Sequence, residues 1–357
     1  MALAGRISEV RGRCPALTRA SRLELIQAIE DMRQSRLLCY VTGDRRGFET
    51  KIAGDVFSFV YERLSEIGST KSIDLFLYTT GGITIVGWGL VNVIREFCER
   101  FGVIIPFKAH SCGTLIALGA DEIIMGKLGQ LSPVDPSVTS PHNPQAPGQQ
   151  QPGPLSVLPI SVEDVLGYLE LARKEANLAG EAPLTTIFHD LTERVHPLAL
   201  GSVYRARQQI RMLSKKLLQF HMPPESERDM DRIVTTLTRE LYSHDYIIGR
   251  KEAKEGVGLN VVDVDPALER AVWKLFQEYE ALFELNVPYS PPAFLGQENS
   301  RRGVFTRAII ESSGHVDAFV TEKEVRRIQV SQPGVPGPAE AYQERVVFDG
   351  WRQGTDD

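Results

Sequence analysis

The chain is poor in cysteine, and the few it has are scattered. Cys14, Cys39, Cys98 and Cys112 form no CxxC pair and keep no regular spacing, which argues against a disulfide framework or a zinc site. Long apolar runs are missing too. No segment approaches the roughly 18 uninterrupted apolar residues that a membrane-crossing helix requires. The opening MALAGRISEVRGRC lacks the apolar stretch of a secretory signal. Positive charge is not in excess: 40 Lys and Arg stand against 46 Asp and Glu, a formal net charge of -6, the reverse of what a general nucleic-acid binder shows. There is no P-loop, no GxGxxG between a strand and a helix, no metal-ligand spacing and no internal repeat. These absences predict a cytoplasmic protein with reduced thiols, no metal or cofactor and no nucleic-acid partner. A membrane-bound partner would leave no mark in such a sequence.

What is present is enough for a sizeable core. Hydrophobic residues make up 42% and charged residues 24% of the 357, ordinary values for a globular protein. Leu23, Ile26, Ile29 and Met32 recur at helical spacing, with Ser21 placed as an N-cap. LLCYVTG (37–43) then reads as a buried strand, 50–67 as an amphipathic helix, and IDLFLYTTGG (73–82) as a strand ending in two glycines. A helix over 83–101 follows, then VIIPFKAHS (103–111) as a strand, CGTLIALGA (112–120) as a short helix and DEIIMG (121–126) as a strand. Strands and helices alternating at these lengths predict an α/β fold with a mostly parallel sheet built from right-handed crossovers.

Beyond this the character changes. Residues 136–159, PSVTSPHNPQAPGQQQPGPLSVLP, are rich in Pro, Gln and Gly and read as a flexible loop. Helices are predicted over 161–179, 184–194, 197–221 and 225–242, then a helix, a glycine turn and a strand over 246–264, and a further helix over 266–285. VPYSPP marks a boundary, and the tail carries strand-like VFTRAII and HVDAFV before a polar end. The expected organisation is an N-terminal helical extension (1–35), a main domain (36–290) and a C-terminal extension (291–357).

Two features carry chemistry. Gly81-Gly82 closes one strand and Ser111-Cys112-Gly113 closes the next, each just before a helix. In open α/β sheets ligands bind where strands end and helices begin, so both belong on one functional edge. A serine at a helix start sits in the positive field of the helix dipole. Neighbouring glycines leave backbone N–H groups able to face a substrate oxygen. Acyl transfer needs such a nucleophile and such donors. The plainer alternatives are a turn for the glycines and an N-cap for the serine.

DLFLYTTGG, KAHSCGTLIALGADEIIMG and GQLSPVDPS, in this order and spacing, resemble the serine dehydrogenase proteinase family, a relative of signal peptide peptidase A and the Clp protease. SHDYIIGRKEAKEGVGLNV (243–261) resembles the Clp-type end segment more weakly. The resemblance implies a Clp/crotonase spiral of ββα units, Ser111 as nucleophile, an oxyanion hole from the N–H groups of Gly82 and Cys112 with Gly81 shaping the turn, and a peptide or protein substrate. The chain departs from both relatives at the general base. Where the Clp protease has histidine this sequence reads LSPVDP, with Asp135, and where the peptidase A relatives have lysine it reads LPISVED.

A serine nucleophile needs a base within hydrogen-bond reach. His244, in SHD, is the first candidate, oriented by Asp135 or Asp245. Its plainer role is that of a surface histidine capping a turn. His110 points to the opposite face from Ser111, Lys127 and Lys174 would need burial to act as bases, and His142 and His196 read as loop residues. Val86, Leu90, Val93, Ile94 and Phe97 form a core stripe. The expectation is a homo-oligomeric serine peptidase. A crotonase-like acyl-CoA enzyme or esterase and a non-catalytic peptide-binding scaffold are the alternatives on the same fold.

Overall fold

The computed structural model describes residues 19–134, 137–138, 140–144, 158, 160–178, 180–241, 243, 245–330 and 338–353. In chain order its first half runs α1 (Arg19–Arg33), β1 (Arg36–Thr42), α2 (Phe57–Ile67), β2 (Thr70–Tyr78), α3 (Thr84–Arg95), β3 (Cys98–Ile105), β4 (Lys108–Ala109), α4 (Cys112–Leu118), β5 (Glu122–Met125) and β6 (Gln130–Leu131). Then come β7 (Ser137–Val138), β8 (Ile160–Ser161), α5 (Val162–Glu170), α6 (Glu181–Arg194), α7 (Pro197–Leu218), α8 (Glu227–Thr235), β9 (Ile248–Gly249), β10 (Val261–Val262), α9 (Pro266–Leu282) and α10 (Pro291–Leu295). Three long strands finish it: β11 (Ser300–Glu311), β12 (Val316–Val330) and β13 (Ala339–Gln353).

The main sheet has the order β10-β5-β3-β2-β1-β11-β12-β13. Its β10 to β1 half is parallel and its β11 to β13 half antiparallel. The apolar runs LLCYV, DLFLY and GVII form strands because both faces of the parallel half are covered. Alternate residues go to opposite layers. Leu38, Tyr40, Leu75, Leu77, Val103 and Ile105 join the core under α2, α3, α4 and α7. Leu37, Cys39, Val41, Phe76, Tyr78 and Ile104 face α1 and α9. Each such large side chain, fully buried, contributes about 1.5–3 kcal/mol.

α1 differs from expectation at its start. It already includes Arg19, so Ser21 lies within the helix and its hydroxyl donates to Glu278 (2.7 Å) instead of capping. The strand read at 103–111 is two strands, β3 and β4, separated at Pro106-Phe107, where a proline cannot donate to the ladder. β7 and β8 pair antiparallel at the two ends of the segment read as a loop.

The tail is more ordered than its polarity suggests. β11 pairs with β1 through Cys39↔Glu311 to Thr42↔Ala308. Glu311, fully buried, accepts from Arg22 (2.8 Å) and from the Tyr279 hydroxyl (2.9 Å), tying α1, α9 and β11 together. β13, expected to be merely polar, pairs with β12 over its whole length. Cross-strand charges such as Arg327–Glu340 (3.0 Å) and Lys323–Glu344 (3.2 Å) take the place of an apolar face there.

Candidate active site

Two strand ends meet as the glycine and serine motifs require. Beyond β2 and β4 the pairing continues as a parallel bridge Thr79↔Ala109, with Thr79 N donating to Lys108 O (2.9 Å) and His110 N to Thr79 O (3.1 Å). This sets Gly81 against Ser111: a Cβ added at Gly81 would lie 3.0 Å from Ser111 Cβ and 3.4 Å from its Oγ. Gly82 is held from the other side by an isolated bridge to Ile52. Ile52 N donates to Gly81 O and Ile83 N to Ile52 O, both at 2.9 Å. A Cβ at Gly82 would fall 2.2 Å from Ile52 O, and φ is +120° at Gly81 and +155° at Gly82. Only glycine fits this double approach.

Ser111 has φ 50° and ψ -107°, a sparsely populated region for a residue with a Cβ. Such strain persists only where the surroundings over-determine it, and here they do. Ser111 N donates to Ser132 Oγ (2.8 Å), and Ser111 O accepts from Leu115 N (3.0 Å). Ser132 is anchored in turn by Thr114: Ser132 N donates to Thr114 Oγ1 (3.0 Å), which donates to Ser132 O (2.8 Å). Both are buried.

The serine hydroxyl does not cap α4, which removes the plainer reading of this residue. Ser111 is half-buried, and among the described residues no side chain or main-chain group hydrogen-bonds to its Oγ. Nor do the N–H groups of Gly82 and Cys112 find an acceptor among the described residues. The glycine turn is braced by threonine. Thr79 Oγ1 accepts from Gly81 N (3.0 Å) and from Thr42 Oγ1 (2.8 Å).

Cys112 contributes only its backbone. Its side chain is fully buried, with Sγ 3.4 Å from Ile83 O. Burial pushes the thiol up to about 12, so it stays protonated and unreactive. Gly87 lets α3 pack closely on α4, where an added Cβ would meet Cys112 Sγ at 2.6 Å, and Gly113 lets α4 approach the end of β2, where one would meet Thr79 Cγ2 at 2.6 Å.

Four of the predicted residues, Gly81, Gly82, Ser111 and Cys112, are thus adjacent. His244 and Asp135 lie outside the described residues. The lysines are solvated: Lys127 is 77% exposed beside Glu269, and Lys174 is 61% exposed beside Glu170. His196 caps α7 by accepting from Leu198 N at Nδ1 (3.2 Å), and its ring stacks on His142 at 4.6 Å. Asp121 and Glu122 serve structure. Asp121 accepts from Phe101 N (2.7 Å) and Glu122 pairs with Arg33. Sequence reasoning missed Ser132, Thr114, Thr79 and Ile52. The GQLSPVDPS and TTGG motifs contain Ser132 and Thr79, but nothing in either motif shows the hydrogen bonds they make.

The parallel sheet flanked by helices, with its functional edge at the strand ends, is a ClpP-like fold. Residues 17–146 match the family described as ClpP-like SDH-type serine proteinase. An uncharacterized protein of Methanocaldococcus jannaschii is 30% identical over 210 residues, and the match spans 59% of each chain, less than two thirds of that relative. A second uncharacterized protein of the same organism is 24% identical over 287 residues, covering 75% of this chain and 82% of the relative. A solved structure of a mutant 1510-N membrane-bound stomatin-specific protease superimposes loosely, with a TM-score of 0.33 and 17% identity over 64% of this chain and 81% of that one. Among the described residues no helix is long and apolar enough to cross a membrane.

Proposed function

We propose that the chain is a serine peptidase that works through an acyl-enzyme on Ser111. The observation that carries this reading is the strained, uncapped serine at the start of α4, lying against Gly81 with two unclaimed backbone amides beside it. Ser111 Oγ attacks the scissile carbonyl, and the Gly82 and Cys112 N–H groups receive the oxyanion. Water then releases the acyl group. His244 is the general base and Asp135 its orienting partner.

One topological fact supports that assignment. β6 pairs antiparallel with β9, Gln130 opposite Gly249 and Leu131 opposite Ile248. The chain leaving β6 toward Ser132 and the chain entering β9 through Ile247 therefore lie at the same end of the pairing. Ser132 is the residue that grips Ser111 N. The substrate is a peptide or protein, and the working form is a homo-oligomer.

A fluorophosphonate probe tests the reading. Labelling of the full chain is expected to vanish in Ser111→Ala and to fall about a hundredfold or more in His244→Ala. A folded protein that takes no label at any pH overturns the enzyme. Label retained in His244→Ala removes the base and leaves the nucleophile.

A further inference from the structure

Away from Ser111, helices α5, α6 and α7 enclose a cavity of about 410 Å³. That volume lies within the range of small-molecule sites. Its wall is apolar, with Val165, Leu166, Leu191 and Leu200 among the lining residues, and it opens beside the exposed Phe188 and Tyr204. One charged residue breaks this wall. Arg207 lines the cavity, its Nε is buried, and no acceptor for it exists among the described residues. A buried guanidinium nitrogen without an acceptor is unfavourable, a deficit that a bound anion would remove. A second opening is built into the same helix. Gly201 lines the cavity within α7, and a Cβ there would meet nothing within 4 Å. Glycine inside a helix is unfavourable relative to alanine.

We propose that this cavity binds a carboxylate-headed apolar chain, such as a fatty acid, with the carboxylate on Arg207 and the chain among the aliphatic side chains of α5 to α7. The two chemistries match the two parts of the wall. A planar guanidinium receives a carboxylate through two parallel N–H donors, and one positive charge balances one negative charge. The apolar body displaces water from leucine and valine surface. This inference goes beyond the peptidase reading and does not depend on it.

Isothermal titration calorimetry of the full chain with sodium dodecanoate, below its micelle concentration, is the test. One saturable site is expected, with dodecanol binding about tenfold more weakly for want of the charge. Arg207→Gln should weaken dodecanoate about tenfold or more and leave dodecanol unchanged. Gly201→Leu fills the cavity from an open position, so it should abolish both without loss of fold. Equal binding of the acid and the alcohol, no effect of Arg207→Gln, or no saturable binding overturns the proposal. So does sedimentation showing that copies associate through this face, broken by Gly201→Leu and indifferent to dodecanoate. Fluorophosphonate labelling of Ser111 should be the same in both variants, so failure here leaves the peptidase reading untouched.

Discussion

At residue 112 the side chain and the backbone make opposite predictions. If Cys112 acts through its N–H, Cys112→Ala removes only a buried thiol and should cost about 1 kcal/mol of stability. Its fluorophosphonate labelling rate should stay within about threefold of the parent, since the donor is kept. A loss as large as that of Ser111→Ala would show that the thiol matters. Gly82→Ala is the counterpart. Its Cβ would fall 2.2 Å from the Ile52 carbonyl oxygen, so the turn must move and carry the N–H with it. Losing one oxyanion donor costs about a hundredfold to a thousandfold, and labelling should fall by that order. Ser132→Ala takes away the acceptor that holds Ser111 N at 2.8 Å. It should slow labelling about tenfold by leaving an amide unsatisfied, about 1–3 kcal/mol. Ser111 and the glycines were legible in the sequence because both motifs fall where a strand ends and a helix begins, on adjacent strand–helix junctions. Ser132 was not, because a serine that accepts one hydrogen bond from across the fold looks like any other serine in a loop.

Among the elements, α4 links the site to the acid stability of the molecule. His221, just beyond α7, reaches Leu118 O at the end of α4 with Nε2 (3.1 Å). Burial holds its imidazole below the ordinary value of 6.5, outweighing the bond to Leu118. The folded state therefore prefers the neutral ring. Its contribution to stability is complete above pH 6.5 and is lost as the pH falls toward the lowered folded value. His221→Gln keeps a donor for Leu118 O and cannot charge. Melting curves between neutral and mildly acid pH should fall less steeply for this variant, and identical slopes would refute the assignment. The parallel elements were legible because burial on both faces makes their strands continuous apolar runs, as in LLCYV and DLFLY. β13 was not. Its stability comes from pairing with β12 and from cross-strand charges, and neither leaves an apolar period to read.

For the molecule as a whole, the antiparallel tail reaches the segment between β1 and Ile52 through Arg307, beside the stacking of Phe305 on Phe48 at 4.4 Å. Arg307 on β11 donates to the carbonyls of Phe48 (3.2 Å) and Glu49, and Gly43 N donates to Arg307 O (2.7 Å). These bonds fix the segment that runs from β1 to Ile52, whose backbone brackets Gly81 and Gly82. Arg307 also pairs with Asp349 of β13 and donates to Thr321 Oγ1 of β12, both at 3.1 Å. Three tail strands therefore converge on the loop that supports the proposed oxyanion turn. Arg307 touches no reacting atom and acts as a positioning residue, so its removal should separate rate from fold. Arg307→Ala should lower the melting temperature modestly, since the ion pair with Asp349 is partly exposed and worth about 1 kcal/mol or less. The labelling rate of Ser111 should fall about tenfold, because a small displacement of a donor is expensive in a site built on alignment. Asp349→Ala breaks the same ion pair but leaves both loop carbonyls bound, so it should keep the parent's labelling rate. Equal rates for Arg307→Ala and the parent, with both folded, would show that Arg307 does not position this segment.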